Sequence, residues 1–450
     1  MKKSSLLIFT LCIVYFIQSF ITTEVLQFIL SFIAIITLLV AIVYANKLPR
    51  IVGLTILGIS FVISLGSEMG LLTIVEGIRR NIAILVLILL ASFITIPLRL
   101  SGYLEKIVSL MTMLRSNLDR AFFCLLSILF VLAPILNVGA IRVTQDLVKD
   151  IDFKPKFLTK AYVNGYLSAI VWSPYFATVA IVLYLFEVNL NSYILIGLTF
   201  GIIQIIIGYL LFHFHRGEVS VDEVAVTVEP SEDIRNLYWV TGKLFLIILV
   251  GIGLLIFLEY ITPLSMLLLV SISAVVIPLS FGVLTGQMKQ TLSEMKHHIS
   301  NLNRSCNEIV LFLSAGILGS ALENTVFSEA LDTLFLAIAQ ISTLLFGITV
   351  ILIVIFFTVI GVHQIIIVPL LITQVNPEII GISPLALAFV FILAWGVSVA
   401  LSPISATNLL VSNMLKAKWW QVGFKWNGAY VLTSTFVGLT IFIVIQLLTI

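Results

Sequence analysis

Two stretches of this chain read alike: Ser173-Pro174-Tyr175-Phe176-Ala177-Thr178 and Ser402-Pro403-Ile404-Ser405-Ala406-Thr407. Each interrupts an apolar segment long enough to cross a bilayer. Proline lacks the amide hydrogen a helix needs and clashes with the preceding turn, so each segment must break there. A broken apolar helix at matching places in two halves of a chain points to an internal repeat with a binding site at its centre. That is the arrangement of a secondary transporter.

Composition fixes the solvent. The chain has 450 residues, of which 60% are hydrophobic and 10% charged, with a mean hydropathy of +1.20. A water-soluble domain cannot hide that much apolar surface, so most of it must face lipid or pack within a membrane. A net charge of +2 gives no basis for nucleic-acid binding. Cys12, Cys124 and Cys306 are far apart in sequence, and no Cys/His spacing suits zinc or a disulfide framework. We therefore expect no cofactor. Lys2 and Lys3 precede an apolar run, but no small-x-small cleavage pattern follows, which favours an uncleaved first span over a signal peptide.

Lys and Arg gather in cytoplasmic loops, and a span takes about 20 apolar residues. With the N-terminus cytoplasmic, residues 1–24 form an extra first span. Residues 25–214 form a first repeat, 215–238 an acidic cytoplasmic linker, and 239–450 a second repeat of opposite orientation. Within the first repeat, spans at 25–44, 51–66 and 81–98 lead to a basic surface segment with Arg99, Lys106, Arg115 and Arg120. Residues 121–148 are apolar but carry Pro134, Asn137 and Gly139, with cations on both flanks, and so read as a hairpin that enters and leaves on one side. A broken helix at 157–186 and a span at 192–214 follow. The second repeat has spans at 239–258, 263–282 and 307–322, an acidic surface segment with Glu323, Glu329 and Asp332, and a hairpin at 340–373. It closes with a broken helix at 383–411 and a last span. The fold expected is all-α and polytopic, with about eleven transmembrane helices plus two re-entrant hairpins. Nearly every cation then lies inside, with Arg79, Arg80 and Arg142 the exceptions.

Irregular backbone survives at membrane depth only where it faces protein or a water-filled cavity. Four places qualify: the two hairpin tips and the two breaks. At the tips stand Asn137 and Gly139, and His363 and Gln364. At the breaks stand Ser173, Pro174 and Thr178, and Ser402, Pro403, Ser405, Thr407 and Asn408. Proline frees carbonyls that can coordinate a cation, and the half-helix after each break offers unpaired N–H groups to an anion. Asn137 and Gln364 occupy similar positions in the two hairpins, and each either binds or caps its own turn. His363 either binds, titrates or bonds a neighbouring carbonyl. Arg142 and Asp146, four residues apart, read first as a mutual ion pair and second as an anion contact with a coupling carboxylate. Glu308 reads as interfacial, and His297 and His298 as loop residues.

With that topology the chain resembles the ion transporter superfamily, within it the divalent anion:sodium symporter type, over essentially residues 25–450. The resemblance implies an elevator-type transporter, a homodimer, and substrate and Na+ ligands at the hairpin tips and helix breaks. The Ser-Asn-Thr tips of those symporters are absent; Asn137-Val138-Gly139 and Val362-His363-Gln364 stand there instead. The sequence thus favours ion-coupled transport of a small, carboxylate-like anion across the cytoplasmic membrane. An ion antiporter or oxyanion exporter on the same scaffold is the alternative. A membrane enzyme such as an O-antigen polymerase or ligase fits poorly, because no catalytic motif appears and the external loops are short.

Overall fold

The computed structural model describes residues 3–66, 70, 72–101, 117–148, 153–215, 234–323 and 325–449. Most of the basic surface segment and of the acidic linker lie outside the described residues, as do the side chains of Asp146 and Asp332. Among the described residues the regular structure is entirely helical. Eight helices are long and apolar enough to cross a membrane: Glu24–Tyr44, Leu72–Leu100, Leu118–Leu136, Leu190–Phe214, Met266–Leu284, Leu302–Leu322, Pro384–Met414 and Gln421–Thr449. Four shorter apolar helices join them: Ser4–Phe20, Pro49–Leu65, Leu249–Ile261 and Thr343–Val359. By length and composition alone the count therefore differs from the eleven expected. The limb Leu118–Leu136 passes as a span, and Pro384–Met414 passes as one despite its break.

Boundaries follow local chemistry. Thr23, Asn117, Ser265, Thr325 and Ser383 each turn a side-chain oxygen onto the backbone N–H three residues on, satisfying a donor that the first helical turn leaves unpaired. Pro155 and Pro384 open their helices where a missing N–H costs nothing. Three expected boundaries shift. The fourth helix starts at Leu72 rather than at residue 81, with Arg79 and Arg80 on its first turns. The helix after the linker starts at Ile234. His297 and His298 stand on the helix Met288–Ser300, where the His298 ring meets Phe93 edge-on.

The chain divides into two compact units, each drawing on both halves of the sequence. The first comprises Met1–Pro97, Thr262–Ser342 and Ile365–Gly381. Its helices Leu72–Ala91 and Cys306–Leu322 meet at Gly77 and Gly316, where a Cβ on Gly77 would come within 2.6 Å of the Gly316 carbonyl oxygen. Between apolar helices no hydrophobic gain is left once lipid is the solvent, so close van der Waals contact and interhelical hydrogen bonds carry the association. Asn81 Nδ2 supplies one such bond, to the Phe312 carbonyl at 2.7 Å. Arg79 Nε donates to Ser31 Oγ at 2.8 Å, and Arg80 pairs with Glu323. At the other end of the same helix the Asn46 N–H donates to Asn307 Oδ1 at 2.8 Å. Glu308, expected at the interface, keeps Oε2 buried and without a partner among the described residues.

The second unit comprises Leu98–Ile261, Thr343–Gln364 and Ile382–Ile450. Phe122, Phe157 and Phe212 form an aromatic cluster, with Phe122 and Phe212 stacked at 4.1 Å between centroids. The helix Pro384–Leu401 runs through this core and is buried along its length. Both breaks and the turns of both hairpins belong to this unit.

Candidate functional site

The two breaks are superimposable in their local logic. The first helix runs Pro155–Ile170 and resumes as Ala177–Leu185; the second runs Pro384–Leu401 and resumes as Ala406–Met414. Ser173 Oγ accepts from the Tyr175 N–H at 3.4 Å, and Ser402 Oγ from the Ile404 N–H at 3.3 Å. Each serine therefore folds its own Ser-Pro turn. Both half-helices last nine residues, and both close on a residue in the left-handed region, Glu187 at φ 54° and Lys416 at φ 51°. The closing bonds also correspond, Val188 N–H to Leu183 O and Ala417 N–H to Ser412 O, each at 2.9 Å.

Two positions separate them, Ser405 against Phe176 and Asn408 against Val179. Pro403 cannot donate to the Val399 carbonyl one turn back, and the Ser405 hydroxyl donates there instead at 2.7 Å. Ser405 Oγ also accepts from the Asn408 N–H at 3.1 Å as the cap of its half-helix. Asn408 completes the repair: Nδ2 donates to the carbonyls of Ala400 and Trp419, and Oδ1 accepts from Ser412. At the first break Phe176 stands in the place of Ser405 and brings no hydroxyl, so the half-helix starting at Ala177 has no side-chain cap. There the Val171 carbonyl is taken by the Tyr193 hydroxyl at 2.6 Å. The carbonyls of Val171, Val399 and Ala400 each accept a side-chain hydrogen bond. Asn408 serves the backbone.

The first hairpin turns at Asn137 and Val138, between Leu118–Leu136 and Gly139–Val148. Asn137 holds φ 51° and ψ −138°, a backbone conformation that L residues rarely adopt. Its Oδ1 accepts from the Val138 N–H at 2.7 Å, which caps the turn. The same oxygen accepts from the Tyr166 hydroxyl at 2.7 Å, and the Thr407 side chain lies close to that hydroxyl. Tyr166, on the first broken helix, therefore ties the first hairpin tip to that helix. Gly139 opens the returning limb without needing to be glycine, since a Cβ there would meet only Leu136 at an ordinary 3.9 Å. Arg142 is exposed; its expected partner Asp146 falls outside the described side chains.

The second hairpin ends its rising limb, Thr343–Val359, in a Schellman motif. Gly361 at φ 105° donates to the Thr358 carbonyl, and Val362 N–H to the Phe357 carbonyl. The Thr358 carbonyl also accepts from the Ser402 hydroxyl at 3.1 Å, so the second tip is held to the second break. His363 is half-buried on this turn. Gln364 is fully buried, and neither Oε1 nor Nε2 has a partner among the described residues. Thr178 and Thr407 are buried at the second position of their half-helices.

Within one unit, then, two bonds hold each hairpin tip to a broken helix, Asn137 to Tyr166 and Thr358 to Ser402, and Thr407 lies close to the first of them. Ser173, Pro174 and Thr178 build the first break and take no part in those two bonds. Tyr166 was not legible as a site residue from sequence, where a tyrosine in an apolar helix has no distinguishing neighbour. Among the described residues no three His, Cys, Asp or Glu side chains gather as a metal site. Neutral oxygens are what the tips and breaks offer a cation.

No protein-family model matches the chain, and no curated protein matches its sequence. Its fold does match solved structures. The crystal structure of the YdaH transporter from Alcanivorax borkumensis aligns with a TM-score of 0.54 at 13% identity, covering 88% of this chain and 98% of that one. At that identity the likeness speaks for fold alone. It gives this chain the fold of a solved transporter, without selecting the ion transporter superfamily.

Proposed function

We propose that this chain is a secondary active transporter that moves a small, carboxylate-like anion across the cytoplasmic membrane. Coupling is to Na+ or H+, and alternating access is of the elevator type, in which the hairpin-bearing part carries the site while scaffold helices stay in place. As in the group it resembles, it works as a homodimer. The observation that carries the reading is that each hairpin tip is bonded to a broken helix, Asn137 to Tyr166 and Thr358 to Ser402, with Thr407 close to the Tyr166 hydroxyl. Irregular turns held to broken helices by side-chain hydroxyls cost backbone hydrogen bonds, and such backbone persists at membrane depth where it lines a site. The uncapped start of Ala177–Leu185 adds free N–H groups suited to an anion.

The test is thermal stability of the purified protein with mono- and dicarboxylates, citrate, sulfate and arsenite, in sodium or choline buffer at two pH values. A ligand bound only by the folded state raises the melting temperature by mass action. The expected result is a cation- or pH-dependent shift with a carboxylate that disappears in Thr407→Ala. No shift with any anion under any condition overturns the reading.

A further inference from the structure

Gln364 is the one position of the two hairpin turns whose side chain is wholly buried and without a hydrogen-bond partner among the described residues. A carboxamide carries two N–H donors and a carbonyl acceptor. Water satisfies all of these in an unfolded chain, and a buried polar group left unpaired loses those bonds without replacement. Gln364 has no exposure, and both its oxygen and its nitrogen lack partners among the described residues. Native proteins leave few groups so, and each calls for an explanation.

The neighbouring backbone does not supply one. The Thr358 carbonyl already accepts two hydrogen bonds, from the Gly361 N–H and the Ser402 hydroxyl. The Schellman motif closes the turn without help from Gln364. Asn137, at the similar place in the first hairpin, behaves differently. Its carbonyl caps the Val138 N–H and accepts from Tyr166. One hairpin amide is spent on structure and the other is idle.

An idle amide selects its ligand by complementarity. A carboxylate only accepts, so it satisfies Nε2 and leaves Oε1 unpaired. A lone cation does the reverse. A group with an adjacent donor and acceptor satisfies both ends at once, as when glutamine reads the edge of adenine. We propose that Gln364 reads an amide-type edge on the transported molecule: a carboxamide, a ureide or a peptide-like group carried beside its anionic group. This rests on the hairpin turns and helix breaks being the substrate site.

The experiment compares succinamate and ureidosuccinate with succinate, by thermal shift, in sodium and in choline, on the wild type and on Gln364→Met and Gln364→Glu. The amide-bearing compounds should bind about tenfold more tightly than succinate or better, since the acid strands a buried carbonyl. Gln364→Met, similar in volume and without polar ends, should abolish that preference. It should also raise the melting temperature of the unliganded protein. Gln364→Glu, which when ionised still accepts from an amide N–H but repels a carboxylate, should instead widen the preference. Equal or stronger stabilisation by succinate overturns the proposal and leaves the site reading intact, as does a preference that survives in Gln364→Met. A fall in the unliganded melting temperature of Gln364→Met means that the carboxamide has a partner, and overturns it also. No shift with any of the three compounds in either cation overturns both the proposal and the site reading.

Discussion

Tyr166 does more for the candidate site than any residue singled out by motif. It is almost fully buried, and its hydroxyl donates to Asn137 and lies close to Thr407, both distant in sequence. Tyr166→Phe removes one oxygen and keeps the ring, including its edge-on contact with Phe176 at 5.7 Å. The expected loss of stability is about 1–2 kcal/mol, the net value of the bond to Asn137 plus the cost of leaving a buried acceptor short of a partner. Carboxylate-dependent stabilisation should fall with it, because the first tip is no longer tied to the first broken helix. A melt with and without ligand measures both; unchanged ligand stabilisation would remove Tyr166 from the site. Legibility at this scale was uneven for a physical reason. Ser173-Pro174 and Ser402-Pro403 announce themselves because proline forbids a continuous helix whatever surrounds it. The same is not true of Tyr166, whose role depends on partners that only the folded chain brings near. Phe176 and Ser405 differ openly in sequence, yet the consequence, one break capped and repaired and the other not, emerges only from where the Ser405 hydroxyl points.

The two half-helices show how far an element can be read from a six-residue likeness. Beyond the motif, Ala177–Leu185 and Ala406–Met414 share little sequence, but they agree in start, length, closing bond and closing conformation. The closing residues carry opposite charge, Glu187 in one and Lys416 in the other. That is the pattern inverted repeats need if one half-helix ends outside and the other at the cation-rich cytoplasmic face. Neither position is glycine, although both sit in the left-handed region, where an L residue pays about 1–2 kcal/mol. Glu187 is exposed and closes a buried half-helix. Glu187→Gly should therefore stabilise the protein by about 1 kcal/mol and leave ligand-induced shifts alone, as a thermal melt would register. A destabilised variant would mean that the carboxylate, not the backbone conformation, matters there. The hairpins were legible through Asn137 and Gly361, which stand where helices end. Their limbs were not, because a limb such as Leu118–Leu136 has the length and apolarity of a span.

For the whole molecule the sorting of charge is the feature on which most depends, and the structure bears on its exceptions. Arg80, expected on the outer side against the trend, is paired with Glu323. A cation neutralised at the membrane surface escapes much of the bias that holds other cations inside. The two ends of the helix Cys306–Leu322 carry this contact and the Asn46–Asn307 bond respectively. Sequence reading could count neither, since both join residues hundreds of positions apart, and the compact units likewise ignore the order of the halves along the chain. Orientation nevertheless reduces to a single crossing. Lys289 is exposed near the start of Met288–Ser300, Glu329 is exposed on Val326–Ile341, and one span, Leu302–Leu322, separates them. Its 21 residues rise about 30 Å at 1.5 Å each, the thickness of the hydrocarbon core. Single cysteines at Lys289 and Glu329 should therefore react from opposite faces of intact cells, Glu329→Cys with an impermeant reagent and Lys289→Cys only after permeabilisation. Cys12, Cys124 and Cys306 are buried and free, so they give little background. Labelling of both positions from one side would mean that Leu302–Leu322 does not cross, and the inverted-repeat topology would fall with it.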